Sequence, residues 1–196
     1  MRIYFRKTEK KSNVPITESK RRRSVMYELV SYILIVIILL CAFLIFLDIG
    51  CVPSESMEPK IKVNDMIIGN NLAYKKKSPK RGDIVIFKSD EFKKTMCKRI
   101  IGLPGDTISF HNGYVYINDK KLDESKYLSD DIETNSADIF EVPKNSYFVL
   151  GDNRENSNDS RYWNNPFVPK DKIQAKVIVI VPLHTLHMLK QSSRRR

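Results

Sequence analysis

The feature that most constrains this chain is one long apolar stretch near its start. Residues 30–47 read VSYILIVIILLCAFLIFL and carry no charged side chain. At about 1.5 Å of rise per residue, a helix of this length nearly crosses a bilayer core of about 30 Å. Glu28 and Asp48 mark its approximate ends. The sequence therefore predicts one transmembrane anchor over residues 28–49.

A cleaved signal peptide is the alternative interpretation of this stretch. Such a peptide has an apolar core of about 7–15 residues, followed by small residues at the cleavage site. Here the core is longer, and the following DIGCVPSES offers no small-x-small pair at the expected distance. An uncleaved anchor is favoured. The residues before it are strongly basic: Arg2, Arg6, Lys7, Lys10, Lys11, Lys20, Arg21, Arg22 and Arg23.

This charge bias sets the expected orientation. Under the positive-inside rule, residues 1–27 form a basic cytoplasmic tail, and residues 50–190 form a domain on the outer face of the cell membrane. The net charge of the 196 residues is +11, with further clusters at 75–81 and in a basic tail at 191–196. No nucleic-acid-binding motif accompanies these clusters, so we expect solvated or lipid-facing charges and no nucleic-acid partner.

The outer domain reads as mostly β. Short runs rich in Ile and Val are bounded by Gly and Asp, as in DMIIGN, GDIVIFK, SYFVLGDN and KIQAKVIVIVPL. DTISFHNGYVYINDKKL alternates on both sides of Asn112-Gly113, which predicts a hairpin. Residues 123–145 are polar and irregular. We therefore expect a single N-terminal helix followed by a β-sheet domain.

Histidine and cysteine chemistry is disfavoured. His111 falls in the predicted hairpin turn, and the pair His184 and His187 has no cysteine or acidic cluster beside it, so a metal site is not expected. Three cysteines give no disulfide framework. Cys41 lies in the apolar stretch, and Cys51 and Cys97 are expected to be free thiols.

A serine nucleophile would therefore need a base other than histidine. CVPSESMEPK follows the apolar stretch at once, and Ser56 within it is a helix cap, a linker residue or a nucleophile. A lysine can activate it if burial keeps the amine neutral. Lys98 in TMCKRIIGLPGD has apolar neighbours, although a surface lysine on a strand is the simpler interpretation. If Lys98 is the base, its pKa should lie well below that of a free lysine.

Four stretches together resemble the bacterial type I signal peptidases, which are membrane-anchored serine peptidases with a Ser-Lys dyad. SESMEP resembles the nucleophile box of the family, RGDIVIF its second box and KRIIGLPGD its lysine box. GDNRENSNDSR at 151–161 resembles the last box almost letter for letter. They follow an apolar segment in the order of the family, over roughly residues 30–182. The short spacing of the boxes is similar to the compact Gram-positive form.

The resemblance implies the chemistry of the site. Ser56 would be the nucleophile and Lys98 the general base, with no metal or organic cofactor. The Ser54 hydroxyl and the Ser56 N–H would form the oxyanion hole, since a tetrahedral intermediate needs preorganised donors. An acyl-enzyme on Ser56 would then be hydrolysed.

In the last box, the resemblance implies supporting residues. Ser157 matches the serine that hydrogen-bonds the lysine amine. Three charged residues match those that hold the geometry of the site: Asp152, Asp159 and Arg161. Stabilisation of an ordinary turn is the plainer interpretation of these three.

On the substrate side, the resemblance implies shallow pockets and a membrane-facing surface. Val52 and Cys97 match positions that line pockets for small residues, so that exported preproteins are cut after Ala-x-Ala-like sites. Met57 and Ile61 match an apolar surface laid against the lipid bilayer, or are simply core. Two departures from the family pattern are Lys60 after the nucleophile box and the Asn164-Asn165-Pro166 turn.

Two other functions compete with this one. A non-catalytic, membrane-tethered assembly protein on the same scaffold would have lost the dyad, whereas both Ser56 and Lys98 are present. Other Ser-Lys hydrolases fit less well. The penicillin-binding type has its serine and lysine three residues apart on a helix, and the self-cleaving repressor type should be cytoplasmic with a DNA-binding domain.

Overall fold

The computed structural model describes residues 18–129 and 131–183. The chain divides into a helical unit that ends at Leu44 and a β unit that begins at Ile45. Its helices and strands are α1 (Glu18–Ile45), β1 (Leu47–Cys51), β2 (Met66–Asn70), β3 (Ile84–Ser89), β4 (Lys94–Gly102), β5 (Thr107–His111), β6 (Tyr114–Ile117), β7 (Lys120–Lys121), β8 (Phe140–Glu141), β9 (Ser146–Leu150), β10 (Phe167–Pro169), a 3₁₀ turn (Lys170–Lys172) and β11 (Ile173–Val181).

The helical unit differs in its bounds from the predicted anchor. α1 begins at Glu18, well before residue 28, and it ends at Ile45. The end comes early because Leu47–Cys51 pairs with Met66–Asn70 as a strand. The span Lys20–Ile45 is long and apolar enough to cross a membrane, with a mean hydropathy of 2.9 in its most apolar window. Its apolar side chains are exposed, as a membrane-spanning helix requires.

The β unit confirms the mostly β prediction. A seven-stranded sheet has the order β1-β2-β11-β3-β4-β9-β10, and a four-stranded sheet has the order β7-β6-β5-β8. All neighbouring strands are antiparallel. Asn112 and Gly113 have φ of 51° and 81° and form the predicted hairpin turn between β5 and β6. Asn-Gly suits this turn because both residues tolerate positive φ.

Alternation along the central strands gives the large sheet two buried faces. In β9, Tyr147 and Val149 join a cluster around Trp163, while Phe148 and Leu150 point into a second cluster shared with the small sheet. Strand β3 divides in the same way. Its Val85 and Phe87 face the Trp163 cluster, whereas Ile84 and Ile86 enter a third cluster. The strands that carry the site are thus held from both sides.

The remaining predictions for the fold concern the histidines, the cysteines, the turn at Asn164-Asn165 and the basic tails. His111 ends β5 with its ring 5.3 Å from that of Tyr116 and is exposed. The described cysteines are all free thiols. The departure at Asn164 and Asn165 forms a turn whose backbone N–H groups donate to the Glu91 carboxylate. His184, His187 and the two basic tails, apart from the start of α1, lie outside the described residues.

We predict that Gly102→Ala destabilises the β unit by roughly 1–3 kcal/mol through overpacking. A Cβ at this position would lie 2.8 Å from the Phe148 Cβ and 2.9 Å from Ile108 and Val142 methyl carbons. Gly50→Ala is the matched control, because a Cβ there meets nothing within 4 Å. Urea unfolding followed by the fluorescence of Trp163, the single tryptophan, measures both variants. Equal free energies of unfolding for the two would contradict this account of the core.

Candidate active site

The structure brings together Ser56 and Lys98, the two residues predicted to form a dyad. The Lys98 Nζ donates a hydrogen bond to the Ser56 Oγ across 2.5 Å. Ser56 lies in the irregular stretch between β1 and β2, and Lys98 lies within β4 opposite Val85 of β3. Both residues are buried, with relative exposures of 8% and 3%. A hydroxyl and an amine thus meet away from bulk water.

Burial controls the protonation of this pair. Desolvation lowers the pKa of Lys98, because a charged ammonium loses its water shell inside the protein. The carboxylates of Asp159 and Asp152 act in the opposite direction. The same burial raises the pKa of the neighbouring Cys97 thiol to about 12. The net lowering for Lys98 agrees with the direction expected of a base that must be neutral.

Arginine side chains pair with both carboxylates. Arg99 donates from Nε and Nη2 to Asp152 across 2.7 and 2.6 Å. Arg161 donates from Nε and Nη2 to Asp159 across 2.9 and 3.0 Å. Asp152 and Asp159 are fully buried, so each negative charge needs such a partner. The two carboxylates stabilise the protonated form of Lys98, and the positive charges of the paired guanidinium groups offset that stabilisation.

The main chain of Ser56 is fixed by the loop of the last box. The Asn153 N–H donates to the Ser56 carbonyl oxygen across 3.1 Å. A Cβ on Gly151 would overlap with that carbonyl and with Ser157, so the loop approaches closely only because residue 151 is glycine. The Gly151 N–H donates to Asp159 across 3.0 Å. The Asp159–Arg161 pair therefore positions the loop that touches Ser56.

The two other serines predicted at the site, Ser54 and Ser157, differ in their exposure and in their hydrogen bonding. The Ser54 Oγ is 3.3 Å from the Ser56 Oγ and belongs to an exposed residue. The Ser157 Oγ is buried and has no hydrogen-bond partner among the described residues. The predicted hydrogen bond from Ser157 to the lysine amine is thus not formed in this structure. Its hydroxyl packs against Gly151 instead.

The four residues predicted on the substrate side all lie in or against one apolar cluster. Val52, Met57 and Ile61 are buried in one apolar cluster, and Cys97 packs against it as a half-buried residue. Met57 and Ile61 are therefore core, and their alternative placement against the bilayer is wrong, since they are 1% and 0% exposed. Val52 and Cys97 meet at this cluster beside the dyad.

Several positioning residues were missed by the sequence reasoning. Four of them lie within the lysine box and the last box: Arg99, Gly151, Asn153 and Arg154. Their place in these boxes was the available signal that they help to position the site. Their partners are distant in sequence, which no local pattern reveals. Within residues 18–129 and 131–183, no group of three or more histidine, cysteine or acidic side chains could hold a metal ion.

We predict that Lys98→Met raises the free energy of unfolding, and by more at pH 7 than at pH 10. The pKa of Lys98 is lowered by folding, so the unfolded chain binds this proton more tightly and the stability of the wild type rises with pH. The penalty of burying the lysine is greatest below its folded pKa and vanishes above the ordinary value near 10.4. Methionine removes that penalty.

Urea unfolding of the full chain in detergent at both pH values measures this difference. Lys88→Met is the matched control, because Lys88 is exposed on the neighbouring strand β3. Its difference from the wild type should be alike at the two pH values. A stabilisation by Lys98→Met that is the same at pH 7 and pH 10 would show that folding leaves the protonation of Lys98 unchanged.

Comparisons of this chain with known proteins match it to one family of peptidases. The model for signal peptidases of peptidase family S26 matches residues 24–182. The probable signal peptidase I-2 of Synechocystis is 42% identical over 134 residues, which are 65% of this chain and 60% of that protein. Signal peptidase I P of Bacillus subtilis subsp. natto is 34% identical over 182 residues, covering 88% of this chain and 98% of that protein.

A crystal structure of a signal peptidase I from Enterococcus faecalis is also similar, at 33% identity. It covers 53% of this chain and 98% of its own, with a TM-score of 0.44. The family match spans both the apolar helix and the β unit with its buried serine and lysine. The chain belongs to the signal peptidases of peptidase family S26, which are hydrolases that remove signal peptides.

Proposed function

We propose that this chain is a membrane-anchored serine endopeptidase that removes signal peptides from exported preproteins, with Ser56 as nucleophile and Lys98 as general base. The observation that carries this proposal is the 2.5 Å contact between the Lys98 Nζ and the Ser56 Oγ in a buried site. A nucleophile and a base within hydrogen-bonding reach are the minimum for covalent catalysis. Burial lowers the pKa of Lys98, which favours the neutral amine that this base requires.

In the proposed reaction, the lone pair of the neutral Lys98 amine accepts the proton of the Ser56 hydroxyl. The Ser56 Oγ then adds to the scissile carbonyl carbon, and the carbonyl oxygen becomes an oxyanion. As the C–N bond breaks, the Lys98 ammonium returns its proton to the leaving amine, and an acyl-enzyme remains on Ser56. A water molecule then gives a proton to Lys98 as its oxygen adds to the ester carbon. The bond from that carbon to the Ser56 Oγ breaks, and Lys98 returns the proton to the Oγ, which releases the acid product and restores Ser56.

Ser54 and the Ser56 N–H are the proposed donors to the oxyanion. The Ser54 hydroxyl lies 3.3 Å from the Ser56 Oγ, so a rotation brings it to an oxygen on the carbon under attack. Ser157 has a buried hydroxyl that no described residue uses, and it is available to bind the Lys98 amine during the reaction. Asp152, Asp159 and Arg161 keep the loop in place.

The proposed substrate preference rests on two residues of the apolar cluster, Val52 and Cys97. Val52 is buried and Cys97 is half-buried in the apolar cluster next to Lys98, and we assign them to the walls of the shallow pockets that the family resemblance implies. A shallow pocket of this kind excludes large side chains by overlap. We therefore expect cleavage after small-x-small sites such as Ala-x-Ala.

Membrane attachment is a property of the family, and α1 fits such an anchor by length and composition. We further propose that the N-terminus is cytoplasmic and that the β unit faces the outside, since the basic residues precede the apolar span. The substrate also carries an apolar segment in the bilayer. Confining both partners to one membrane raises their effective concentration.

We predict that Ser56→Ala and Lys98→Ala each lower cleavage of a preprotein with an Ala-x-Ala site by at least roughly 1,000-fold. Ser54→Ala should lower kcat by roughly 100-fold, because one oxyanion donor is lost. The assay uses the full chain in detergent, with mass spectrometry to map the cut. Ser129→Ala and Lys88→Ala, both at exposed positions, are the matched controls and should cut like the wild type.

The outcomes separate the possible explanations. Cleavage by Ser56→Ala at the rate of the wild type would show that Ser56 is not the nucleophile. No cleavage by a folded wild type would favour a non-catalytic protein on this scaffold. Cleavage at a site without small residues would remove the proposed specificity and leave the dyad in place.

A further inference from the structure

An irregular segment between β7 and β8 reaches the last box from a part of the chain that the proposed mechanism does not use. Its residues 124–134 include two side chains, Glu124 and Thr134, that bind the guanidinium of Arg154. Arg154 is 2% exposed, and its side chain is fully buried. A buried guanidinium needs a counter-charge, and Glu124 supplies it with both carboxylate oxygens.

The same guanidinium holds the backbone of the catalytic loop. The Arg154 Nε donates to the Gly151 carbonyl oxygen across 3.0 Å. The Arg154 carbonyl oxygen in turn accepts from the Arg161 Nη2 across 2.7 Å. Asn153, which lies between Gly151 and Arg154, fixes the Ser56 carbonyl. Displacement of Arg154 would therefore move the residues on which the position of Ser56 depends.

Tyr127, one turn further along the segment, reaches the second charged pair. Its hydroxyl donates to Glu124 across 2.8 Å, and its ring lies 4.0 Å from the guanidinium carbon of Arg99. Arg99 is the residue that makes the two-fold contact with Asp152. Stacking of an arginine on an aromatic ring fixes the plane of the guanidinium. One short stretch of chain thus touches both Arg154 and Arg99.

We propose that Glu124 and Tyr127 are positioning residues for the reaction: they clamp Arg154 and Arg99, and through these arginines they hold the 151–157 loop against the main chain of Ser56. The inference rests on the proposed function. Neither residue touches the dyad, so the clamp acts through the loop. Its effect falls on the placement of the Ser56 Oγ and of the Ser56 N–H, both of which act in the transition state.

This placement argues for an effect on kcat rather than on KM. Val52 and Cys97, at the proposed pockets, belong to the apolar cluster around Ile86 and Ala175, and neither Glu124 nor Tyr127 is a member of that cluster. A misplaced nucleophile loses transition-state stabilisation without losing ground-state binding. Misplacement of reacting groups by about 1 Å lowers rates by roughly 100-fold.

The test compares Glu124→Gln, Tyr127→Phe and the matched control Glu133→Gln in the cleavage assay, with the wild type and Ser56→Ala beside them. Glutamine keeps the shape of Glu124 but removes the charge, and phenylalanine keeps the ring of Tyr127 but removes the hydroxyl. Glu133 lies on the same segment, is exposed and contacts only Asn135 by a side-chain hydrogen bond among the described residues. The folded fraction of each variant is taken from urea unfolding followed by Trp163 fluorescence.

We expect kcat per folded molecule to fall roughly 10- to 100-fold in Glu124→Gln, with KM unchanged. Tyr127→Phe should fall less, in the same direction, and Glu133→Gln should match the wild type. A purely structural role would lower the folded fraction and leave kcat per folded molecule unchanged, which would overturn the proposal. If Glu124→Gln does not fold, Tyr127→Leu, which removes both the hydroxyl at Glu124 and the ring at Arg99, decides alone, and an unchanged kcat per folded molecule contradicts the clamp.

Failure of the proposed function is distinguishable from failure of the clamp. If the folded wild type does not cut, or if Ser56→Ala cuts equally well, the proposed function is wrong. If the wild type cuts, Ser56→Ala does not, and Glu124→Gln cuts like the wild type per folded molecule, only the clamp is wrong. A rise in KM at constant kcat would assign Glu124 to substrate binding and would also overturn the clamp.

Discussion

The hydrogen bond between a buried lysine amine and a serine hydroxyl is the interaction on which the rest of this site depends. An amine becomes a base near neutral pH only if its charged form is disfavoured, and here desolvation lowers the pKa of Lys98. The same burial brings two carboxylates close enough to stabilise the ammonium. The site therefore needs Arg99 and Arg161, whose charges neutralise Asp152 and Asp159.

The fold supplies this arrangement by bringing together stretches that are far apart in the chain. Strand β4 carries Lys98 and Arg99 through the middle of the large sheet, and β9 delivers the last box directly beside it. Gly151, which directly follows β9, lets the loop come against the carbonyl of Ser56. The segment with Glu124 then closes on Arg154 from the side of the small sheet. Cores on both faces of the large sheet keep these parts rigid.

Local sequence patterns predicted the elements whose structure depends mainly on neighbouring residues. The apolar stretch predicted α1, and Asn112-Gly113 predicted its hairpin because positive φ at both residues suits that pair. The bounds of α1 were not predicted, since its end depends on the pairing of β1 with β2 across a long loop. The resemblance predicted Ser56 and Lys98 as partners, and the structure places them in contact.

Contacts between distant residues were beyond such reasoning. Nothing local in EPKIK shows that Ile61 is core, and nothing near Glu124 shows that Arg154 is its partner. The polar stretch 123–145 was predicted to be irregular throughout, but it contains strand β8 (Phe140–Glu141), because the pairing of β8 with β5 joins residues far apart in the sequence. Ser157 shows a further limit, since the resemblance implies a partner for its hydroxyl and this structure places that hydroxyl against Gly151.

The most direct test of a neutral Lys98 is to titrate its amine. NMR of the full chain in detergent, with lysine labelled by ¹³C at Cε, follows each lysine with pH, and Lys98→Met identifies the resonance of Lys98. We expect that resonance to titrate well below about 10.4, the ordinary lysine value. A Lys98 resonance that titrates together with those of the exposed lysines would contradict the account, because the amine beside Ser56 would then be charged at neutral pH.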